Sequence, residues 1–400
     1  MSVESILLPK IIANLSWSEA RELLQTKYDL SIDETDKLFC AKYIHDSRLW
    51  TRGTDEQKLM LTQNRGTIYE KLPPYRLICL PFYKFWNYNE PQAATKHANW
   101  TLFTEKLDGT FFKVYYYDNQ WHVSSNSRID IKQYREKYQR SGKTNDQLWQ
   151  EAALAVNLDY SKLNPTYAYF FERVHPDYRI VIQYTEPKLY HIGTRNMLTL
   201  EELEIDIGVP KPRSFDFMNL KQCFEYVSNM SFMSGEGIVA CDRLTYDRIK
   251  IKSPSYLIAH CRTTGVDFEN KDEYFCLTIW LFGEKQEYLN YFPEYISTYN
   301  QIERQLEEIL IPKLIDEFNE IDHRENREFF NRLNLKYPST GKPEQDRKRL
   351  IFTKLYQQQS DDYEDKRDSL RKILRQRNFD NNQKFIFEKY LRLLKKKDDE

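Results

Sequence analysis

The sequence predicts an α+β protein with a strand-rich first part and an all-helical second part. Between about residues 65 and 260, apolar residues form short runs or alternate with polar ones, which is typical of strands. After about residue 270, apolar residues recur at helical spacing instead. Because 400 residues exceed the usual size of one domain, we predict antiparallel sheets flanked by helices over 1–270 and an all-α domain over 271–400.

The first part begins with a helix and continues mainly as strands. "SWSEARELLQTKYDL" has apolar residues at helical spacing behind Ser16 or Ser18, either of which is a favourable N-cap. Two further helices are predicted over 145–158 and 215–230. The strand-like runs are "GTIYEKLPPYRLICLPF", which a Pro-Pro pair divides, "TFFKVYYYDNQWHVSS", with a hairpin turn at Asp118-Asn119, "TYAYFFERV", "YRIVIQY" and "KLYHIGTRN".

The second part has the pattern of successive amphipathic helices. In "YISTYNQIERQLEEIL" one helical face carries Tyr299, Ile302, Leu306, Ile309 and Leu310. Pro312 should break or kink this helix, because proline lacks the backbone donor. Similar patterns occur in "LIDEFNEI", "RLIFTKLYQQQ", "SLRKILRQR" and "FIFEKYLRLLKKK".

Charge is separated within the helical part. Residues 301–330 contain nine acidic residues and four Lys or Arg, whereas 366–397 contain twelve Lys or Arg and three acidic residues. The simpler interpretation is that both segments are solvated helix faces. The alternative is that the basic segment 366–397 contacts RNA or an acidic partner.

Composition excludes several classes of protein. The formal net charge of −1 argues against a general basic coat for nucleic acid, so a polyanion site must be a local group of Lys and Arg. Six scattered cysteines without a CxxC pair argue against structural zinc and for a reducing compartment. Since no signal-peptide pattern and no apolar run near about 18 residues occurs, we expect a soluble, cytoplasmic protein, in the host cytoplasm if viral. The 29 Tyr and 23 Phe favour strands and can offer stacking surfaces to bases.

Several familiar catalytic motifs are absent from the sequence. "SGKT" at 141–144 ends like a phosphate-binding loop, but the glycine that such a loop needs five residues before Gly142 is Lys137. GxSxG, HExxH and EF-hand patterns do not occur, and the seven histidines do not cluster.

"EKLDGT" places Lys106 two residues before Asp108-Gly109, at the end of a strand-like run. A tight turn there would fix the lysine with its backbone close to a ligand. A charged hairpin corner is one interpretation, and a nucleophile for a nucleotide α-phosphate is the other. Such a nucleophile must react in its neutral form, although the normal lysine pKa is about 10.4. Nearby cations would lower that pKa and neutralise the phosphates, and carboxylates would be needed for the ribose and a divalent metal.

Later strands supply candidates for these groups. Glu172 follows two phenylalanines in "AYFFERVHPDYRIVI", and Glu236 precedes an apolar run in "SGEGIVACD". In "RIKIKSPSY", Lys250 and Lys252 alternate with isoleucines, so the two lysines share one face of a strand. A strand face with two lysines is costly unless it is exposed or matched by anions.

Together these segments resemble the covalent nucleotidyltransferases, the superfamily of polynucleotide ligases and capping enzymes. They are most similar to the phage-type ATP-dependent RNA ligases, the RNA ligase 1 family. "EKLDGT" resembles nucleotidyl motif I, "YFFERV" motif III, "GEGIVA" motif IV and "IKIK" motif V. "NRGTIYE…LICLPFYKFWNYNE" and "HPDYRIVI" are particular to the phage-type enzymes, and the resemblance covers roughly residues 60–260. Trp86 stands where the family has a second Phe, and "VSSNSRIDI" matches only loosely, so Ser127 and Arg128 receive no role.

The resemblance implies a ligase adenylation domain followed by the all-α domain, and a role for each matched residue. Lys106 would attack the α-phosphate of ATP and form a lysyl-adenylate, while Lys250 and Lys252 contact that phosphate. Glu236 would serve a Mg²⁺ or Mn²⁺ ion. The other cofactor-binding positions are Glu172 for a ribose hydroxyl, Arg65 and Lys84 for the outer phosphates, Phe171 (or Phe170) for adenine, and Glu105, Asp108 and Gly109 of the lysine motif.

The implied reaction is the joining of 5′-phosphate and 3′-hydroxyl RNA ends through lysyl-AMP and AppRNA, in RNA or tRNA repair. An end-healing kinase or phosphatase is a candidate partner, and no membrane is involved. Two alternatives use the same lysine motif: a DNA ligase, and a capping guanylyltransferase with GTP. Both need a strand-rich OB domain after the adenylation domain, which the helical pattern after residue 270 disfavours. A catalytically silent RNA-binding relative is disfavoured because every candidate position carries a competent residue.

Overall fold

The computed structural model describes residues 5–45, 47–88, 90–93, 98–132, 134, 141–262, 276–277, 279–280, 283, 285–322, 325–338, 343–358 and 362–375. The chain divides into two compact units, Met1–His260 and Cys261–Glu400. The predicted domain boundary at residue 270 lies ten residues beyond this division and stays a prediction. Over the described ranges, no helix combines the length and apolar character needed to span a membrane.

The first unit is built from strands with a few helices between them. Its strands are β1 (Leu30–Glu34), β2 (Leu38–Tyr43), β3 (Arg65–Glu70), β4 (Leu77–Cys79), β5 (Trp86–Asn87), β6 (Leu102–Lys106), β7 (Thr110–Tyr117), β8 (Gln120–Ser125), β9 (Tyr167–Val174), β10 (Lys188–Asn196), β11 (Glu202–Leu203), β12 (Ser214–Phe215), β13 (Gly237–Cys241) and β14 (Arg248–Lys252). Its helices are α1 (Leu7–Ile12), α2 (Trp17–Thr26), α3 (Leu49–Arg52), α4 (Asp55–Gln63), α5 (Asn145–Ala155), α6 (Leu220–Ser228) and α7 (Pro254–Arg262), which ends just past the division.

The strands form three sheets. The first has the order β1-β2-β3-β4, the second β11-β10-β9-β7-β8 and the third β12-β6-β13-β14-β5. Neighbouring strands are antiparallel except for the parallel pair β14 and β5. In the third sheet β6, β13 and β14 lie side by side, and they carry "EKLDGT", "GEGIVA" and "IKIK". The predicted antiparallel sheets with flanking helices are therefore confirmed.

Apolar clusters hold the sheets and helices together. One face of the first sheet packs on α1, α2 and α4, where Leu24 is fully buried. Its other face packs on the second sheet through Ile68 and Phe170. The far face of the second sheet is covered by α5, with Trp149 fully buried. In the third sheet, α6 covers one face through Val227, which leaves the opposite face for charged side chains.

Local sequence signals explain where several elements begin. Ser16, not Ser18, caps α2, because its side chain and that of Glu19 form reciprocal bonds with the backbone of the first turn. Asp118 and Asn119 have φ of 52° and 60°, the left-handed conformation that a tight hairpin requires. The predicted hairpin of β7 and β8 is confirmed.

Two predicted elements differ from the structure. "YRIVIQY", over 178–184, was predicted to be a strand but forms none. The carboxylate of Asp108 accepts the N–H groups of Val181 and Ile182 at 2.9 and 2.7 Å, and a side chain thus takes donors that a neighbouring strand would use. The helix predicted over 215–230 begins only at Leu220, since the Asn219 side chain caps it and the preceding Ser214–Phe215 pairs with β6.

Every element assigned within the described part of the second unit is helical, as predicted. These elements are α8 (Lys285–Tyr291), a 3₁₀ turn (Pro293–Tyr295), α9 (Ile296–Arg304), a π-helical stretch (Gln305–Leu310), α10 (Ile311–Asn319), α11 (Asn326–Lys336), α12 (Pro343–Tyr356) and α13 (Tyr363–Arg375). The predicted helix "FIFEKYLRLLKKK" lies outside the described residues.

The helical face predicted around Tyr299 and Leu306 is correct except at one position. Both residues are buried, but Ile309 is 45% exposed. The cause is the π-helical stretch, because i→i+5 bonding widens the helix and rotates later residues away from the 3.6-residue face. Pro312 lies just after this stretch, in the first turn of α10.

Candidate active site

Strand register brings Lys106 and Lys252 to one edge of the third sheet. Lys106 is the last residue of β6 and lies opposite Gly237 of β13, which in turn lies opposite Lys252 of β14. Gly237 is required at this crowded point: a Cβ atom there would lie 2.1 Å from the carbonyl oxygen of Ile251. Lys106 and Gly237 are about 130 positions apart in the sequence, and Gly237 and Lys252 are 15 apart. Strand pairing nevertheless places all three in one row across three strands.

The carboxylate of Glu236 lies between the two lysines. Its Oε2 is 2.5 Å from Lys106 Nζ and its Oε1 is 3.5 Å from Lys252 Nζ. Glu236 is 5% exposed, and burial would raise its pKa. Lys106 and then Lys252 more than offset that effect and hold the pKa of Glu236 below its ordinary value. A buried, ionised carboxylate therefore lies at the centre of the lysine group.

Lys250 completes this group from the same strand as Lys252. Ile249 and Ile251 between and beside them are fully buried against α6, so alternation places both lysines on the opposite face. The ammonium of Lys250 is 5.7 Å from the ring centre of Phe85. The predicted sharing of one face is confirmed.

Glu172 of β9 faces this region in an unusual electrostatic environment. Desolvation raises the pKa of Glu172 to about 8, with Lys106 opposing the shift and Glu236 adding to it. At pH 7 this carboxyl group is therefore mostly protonated in the resting protein. Gly109 lets the turn after Lys106 approach β9, because a Cβ at Gly109 would lie 2.4 Å from the Arg173 carbonyl oxygen.

Asp108 positions the polypeptide around the lysine. One carboxylate oxygen accepts the N–H groups of Val181 and Ile182, and the other accepts the Tyr256 hydroxyl at 2.7 Å. Burial raises the pKa of Asp108, and Glu236 raises it further. Both oxygens are thus occupied by protein donors, and the predicted direct contact of Asp108 with the nucleotide finds no support in this geometry. Sequence inspection missed Tyr256, because it is 148 residues away from Asp108 in the chain.

Phe171 lies in the apolar core beside the second sheet. It is fully buried on the face of β9 that packs on α5, with its ring 5.5 Å from that of Trp149. Glu172 lies on the other face, which it shares with Phe170. Phe170 is also fully buried, against Phe82. The apolar alternation did not show which face α5 covers, and the adenine contact predicted for Phe171 stays a prediction that this orientation does not support.

Glu105 faces away from the lysine group. Phe103, two positions earlier in β6, packs on the side covered by α6, and Glu105 shares that side. Its backbone N–H donates to the Arg213 carbonyl at 2.8 Å, and burial raises the pKa of Glu105. A direct nucleotide contact from Glu105 is not supported by this orientation.

Arg65 and Lys84 lie against aromatic rings. The Arg65 guanidinium is 5.0 Å from the centre of the Phe85 ring and 4.9 Å from that of Phe111. Its Nη1 is buried and has no hydrogen-bond partner among the described residues. The Lys84 ammonium is 4.4 Å from the Trp86 ring centre. An anion between these two side chains would satisfy the buried donor.

Two other sets of charged side chains form ion pairs within the protein. Glu151, His175 and Asp177 come within 4.8 Å of one another, but the Lys143 ammonium is 2.8 Å from Glu151 and 3.0 Å from Asp177 and neutralises them. Arg128, which received no role, pairs with Asp33 at 2.7 Å.

Comparison with known proteins shows which sequences this chain resembles. A family model described as RNA ligase matches residues 59–256. An RNA ligase of Rhodothermus phage RM378 is 28% identical over 329 residues, covering 61% of this chain and 72% of the relative. A putative bifunctional polynucleotide kinase/RNA ligase of Autographa californica nuclear polyhedrosis virus is 24% identical over 264 residues, covering 60% of this chain but 36% of the relative.

Among solved structures, an archaeal ATP-dependent RNA ligase is 12% identical, with a TM-score of 0.43 and coverage of 72% of this chain and 78% of that one. An RNA ligase of Naegleria gruberi is 18% identical, with a TM-score of 0.30, and the match covers 40% of this chain and 51% of the Naegleria chain. Over residues 59–256, which contain every candidate site residue from Arg65 to Lys252, the chain matches the RNA ligase family.

Proposed function

We infer that the protein joins RNA ends in an ATP-dependent reaction with Lys106 as the nucleophile. The observation that carries this proposal is the convergence of Lys106, Lys250 and Lys252 around the buried carboxylate of Glu236. Three cations at one sheet edge match the charge that an α-phosphate presents, and one of them ends a strand beside a tight turn.

In the first step Lys106 attacks the α-phosphorus of ATP. A bond forms between Nζ and the α-phosphorus. The bond from that phosphorus to the oxygen that bridges the α- and β-phosphates breaks, and pyrophosphate leaves. The ammonium must lose a proton before attack and must also leave Glu236, which is 2.5 Å away in the resting protein. Lys250 and Lys252 offset the charge that develops on the phosphate oxygens.

Glu236 is suited to a divalent metal. It supplies a hard oxygen donor, it is ionised although buried, and its present partners are lysines that the reaction requires elsewhere. A bound Mg²⁺ or Mn²⁺ would supply charge neutralisation and orientation for the phosphates. The carboxylate keeps Lys106 and Lys252 at the site until substrate arrives.

Glu172 and Arg65 would bind other parts of the nucleotide. A protonated Glu172 can donate to a ribose hydroxyl, and its carbonyl oxygen can accept from another. Arg65 offers a buried donor to an outer phosphate, and Lys84 lies in the same aromatic surroundings. These roles extend the family resemblance to individual side chains.

The second and third steps transfer AMP and then release it. The 5′-phosphate of an RNA attacks the lysyl-AMP, so the nitrogen–phosphorus bond breaks and a pyrophosphate linkage forms in AppRNA. A 3′-hydroxyl then attacks the RNA 5′-phosphorus, a phosphodiester forms and AMP leaves. We infer RNA or tRNA repair as the setting. An end-healing kinase or phosphatase partner fits this setting, because one relative is named as a bifunctional kinase/ligase.

A DNA ligase or capping enzyme is disfavoured. Both need an OB barrel after the adenylation domain, but over the described residues beyond Lys252 the assigned elements are all helices. No observation favours a catalytically silent relative, since the nucleophile and its neighbouring cations are all in place.

The direct test is covalent labelling with α-³²P ATP and Mg²⁺. We expect the label on the native protein, its loss in Lys106→Ala, and its retention in Lys221→Ala, which changes an exposed lysine of α6. Labelling by GTP but not ATP would contradict the RNA ligase proposal, and label that persists in Lys106→Ala would remove the nucleophile.

A second experiment tests which nucleic acid the protein joins. Circularisation of a 5′-phosphorylated single-stranded RNA is compared with the same-sequence DNA and with a nicked duplex. We expect RNA to be joined fastest, and preference for the nicked DNA duplex would favour the DNA ligase alternative.

A further inference from the structure

The strand that carries two of the site lysines is tied by a side chain to a different sheet. Arg248 begins β14 and lies two and four positions before Lys250 and Lys252, so all three side chains leave the same face of the strand. The guanidinium of Arg248 donates to the carboxylate of Glu202 in β11. Among the described strands, none of the second sheet pairs with one of the third. This contact therefore joins two sheets that share no backbone ladder.

The carboxylate of Glu202 lies between two arginines. Its Oε1 accepts from Arg195 Nη2 at 2.8 Å and from Arg248 Nη1 at 3.1 Å, and its Oε2 accepts from Arg248 Nη2. The Arg195, Glu202 and Arg248 side chains are 2%, 8% and 14% exposed. They form a buried triad with two positive charges and one negative charge, in which each arginine depends on the same carboxylate.

The triad also holds the loop that follows β4. Arg195 Nε donates to the carbonyl oxygen of Leu80 at 3.1 Å, and the Arg248 guanidinium lies 4.3 Å from the centre of the Phe82 ring. One carboxylate thus organises three segments, namely β11, β14 and the loop that leads to Lys84.

A second contact between the two sheets lies at the opposite end of β14. There Asp108, in the turn between β6 and β7, accepts the hydroxyl of Tyr256 at 2.7 Å, and Tyr256 follows the last residue of β14 by four positions. The two contacts are separated by about 13 Å, the length of β14, and Lys250 lies midway between them. A strand held at one end can pivot, whereas a strand held at both ends has a fixed direction relative to Glu172 in the second sheet.

Stability alone does not explain a buried triad of this kind. Removing three charged groups from water is costly, and apolar side chains of similar size are often at least as stabilising. A guanidinium and a carboxylate, however, bind in one preferred planar geometry, which apolar contacts do not impose. The triad is therefore suited to fixing the direction of β14.

We propose that Glu202 is a positioning residue for the ligase reaction, which acts through Arg248 to hold Lys250 and Lys252 in the direction of the α-phosphate. This inference rests on the proposed ligase function. The contact also keeps the Arg248 guanidinium bound, so that it does not compete with the lysines for phosphate oxygens. Because the two lysines offset charge that develops in the transition state, loss of their direction lowers kcat and changes the KM for ATP little.

The test is the kinetics of self-adenylylation by ATP in Glu202→Gln, which keeps the size of the side chain and removes its charge. We expect kcat to fall about 10-fold or more, with the KM for ATP within about 3-fold of native. Arg248→Gln should have a similar effect, and the double variant should lose no more than either single variant, because both substitutions remove the same contact. The control is Glu204→Gln, in an exposed pair with Arg243, which should keep the native kcat.

Arg248→Lys separates positioning from charge balance. Lysine keeps the net charge of the triad but cannot make the two-pronged contact with Glu202, so this variant should fold and still lower kcat about 5-fold or more. The rise in Tm on addition of ATP shows that each variant is folded and binds the nucleotide.

A native kcat in Arg248→Lys would overturn the proposal, as would additive losses of kcat in the double variant of Glu202 and Arg248. A rise in the KM for ATP with unchanged kcat would also overturn it, because the triad would then serve binding. A native protein that ATP does not label would instead contradict the ligase function on which the inference rests.

Discussion

The ion pair between Lys106 and Glu236 has opposite consequences for the resting protein and for the reaction. In the resting protein it neutralises a buried carboxylate, whose isolation would be strongly destabilising. In the proposed reaction the same pair holds the nucleophile as an ammonium, so Lys106 must leave Glu236 before it can attack. The carboxylate that stores the lysine is also the residue suited to a metal, and one side chain thus links nucleophile release to cation binding.

Glu172 presents the reverse case, a carboxyl group that the protein keeps neutral. Its pKa of about 8 in the folded protein compares with about 4.3 in an unfolded chain. Between these values the folded state binds the proton that the unfolded state releases. The contribution of Glu172 to the free energy of unfolding is therefore full below about pH 4 and is lost as pH rises through 8.

We predict that Glu172→Gln flattens the fall of stability between pH 5 and 8. Where the folded state holds this proton and the unfolded state does not, the slope is about 1.4 kcal/mol per pH unit, and it falls to about half of that as pH reaches the folded-state pKa of about 8. The measurement is urea unfolding of native and variant protein across this range. Glu236, with a lowered pKa, titrates below the window, so parallel pH profiles of the two proteins would contradict the assignment for Glu172.

At the scale of elements, α13 shows how the acidic and basic segments of the helical part are used. Arg371 donates to both carboxylate oxygens of Glu307 at 2.9 and 2.6 Å, and Lys366 lies 3.2 Å from Asp322. Basic residues at the start of the segment 366–397 are thus matched by acidic residues of 301–330 within the second unit. In this described portion some charges thus join helices to one another, while others, such as Glu308 and Lys372, are exposed as the solvated-face interpretation expects.

We predict that Glu307→Gln destabilises the second unit by about 1–3 kcal/mol. The Glu307 side chain is only 14% exposed, so removal of its charge leaves Arg371 partly buried without its bidentate partner. Urea unfolding followed by helical circular dichroism measures the change. The control is Glu364→Gln, whose 59% exposed side chain lies 3.7 Å from Arg367 and should change stability by less than about 0.5 kcal/mol. Equal effects of the two substitutions would contradict the structural role of Glu307.

At the scale of the whole molecule, the candidate site and the basic segment lie in different units. The residues of the candidate site belong to the first unit, and the remaining strongly basic segment belongs to the second. Residues 376–397, which carry the other basic residues of the segment 366–397, lie outside the described residues. The hypothesis that this basic segment contacts RNA stays a prediction and can be tested separately from the chemistry.

We predict that Lys395→Ala, Lys396→Ala and Lys397→Ala together weaken RNA binding and leave self-adenylylation by ATP unchanged. Each lost phosphate contact should reduce the slope of log K against log salt by roughly 0.7 for single-stranded RNA. Filter binding to a nicked tRNA at several salt concentrations measures this slope. Alanine at Lys10, Lys211 and Lys221, all exposed in the first unit, is the matched control. An unchanged slope would show that these three lysines do not contact the RNA phosphates.

The sequence predicted features that depend on local spacing. Alternation in "RIKIK" places Lys250 and Lys252 on one face, and the Asp118-Asn119 pair predicts its hairpin, because side-chain direction and turn geometry follow from a few neighbouring residues. The lysine, its turn and the strands that carry the carboxylates were all visible in this way. Local spacing also explains the failure at Ile309, where a π-helical stretch alters the period itself.

Only the tertiary structure decided which of these residues meet. Asp108 is bound by donors about 73 and 148 residues away, and this contact turned a predicted strand into a loop. Phe171 was directed away from Glu172 because α5 covers its face, and Lys42 met Arg65 through a register shift between β2 and β3. Amino-acid order therefore determined the chemistry available to this protein, namely a lysine, its supporting cations and its carboxylates. Packing between distant segments decided their pairing and charge, because burial and charge proximity exist only after the chain has folded.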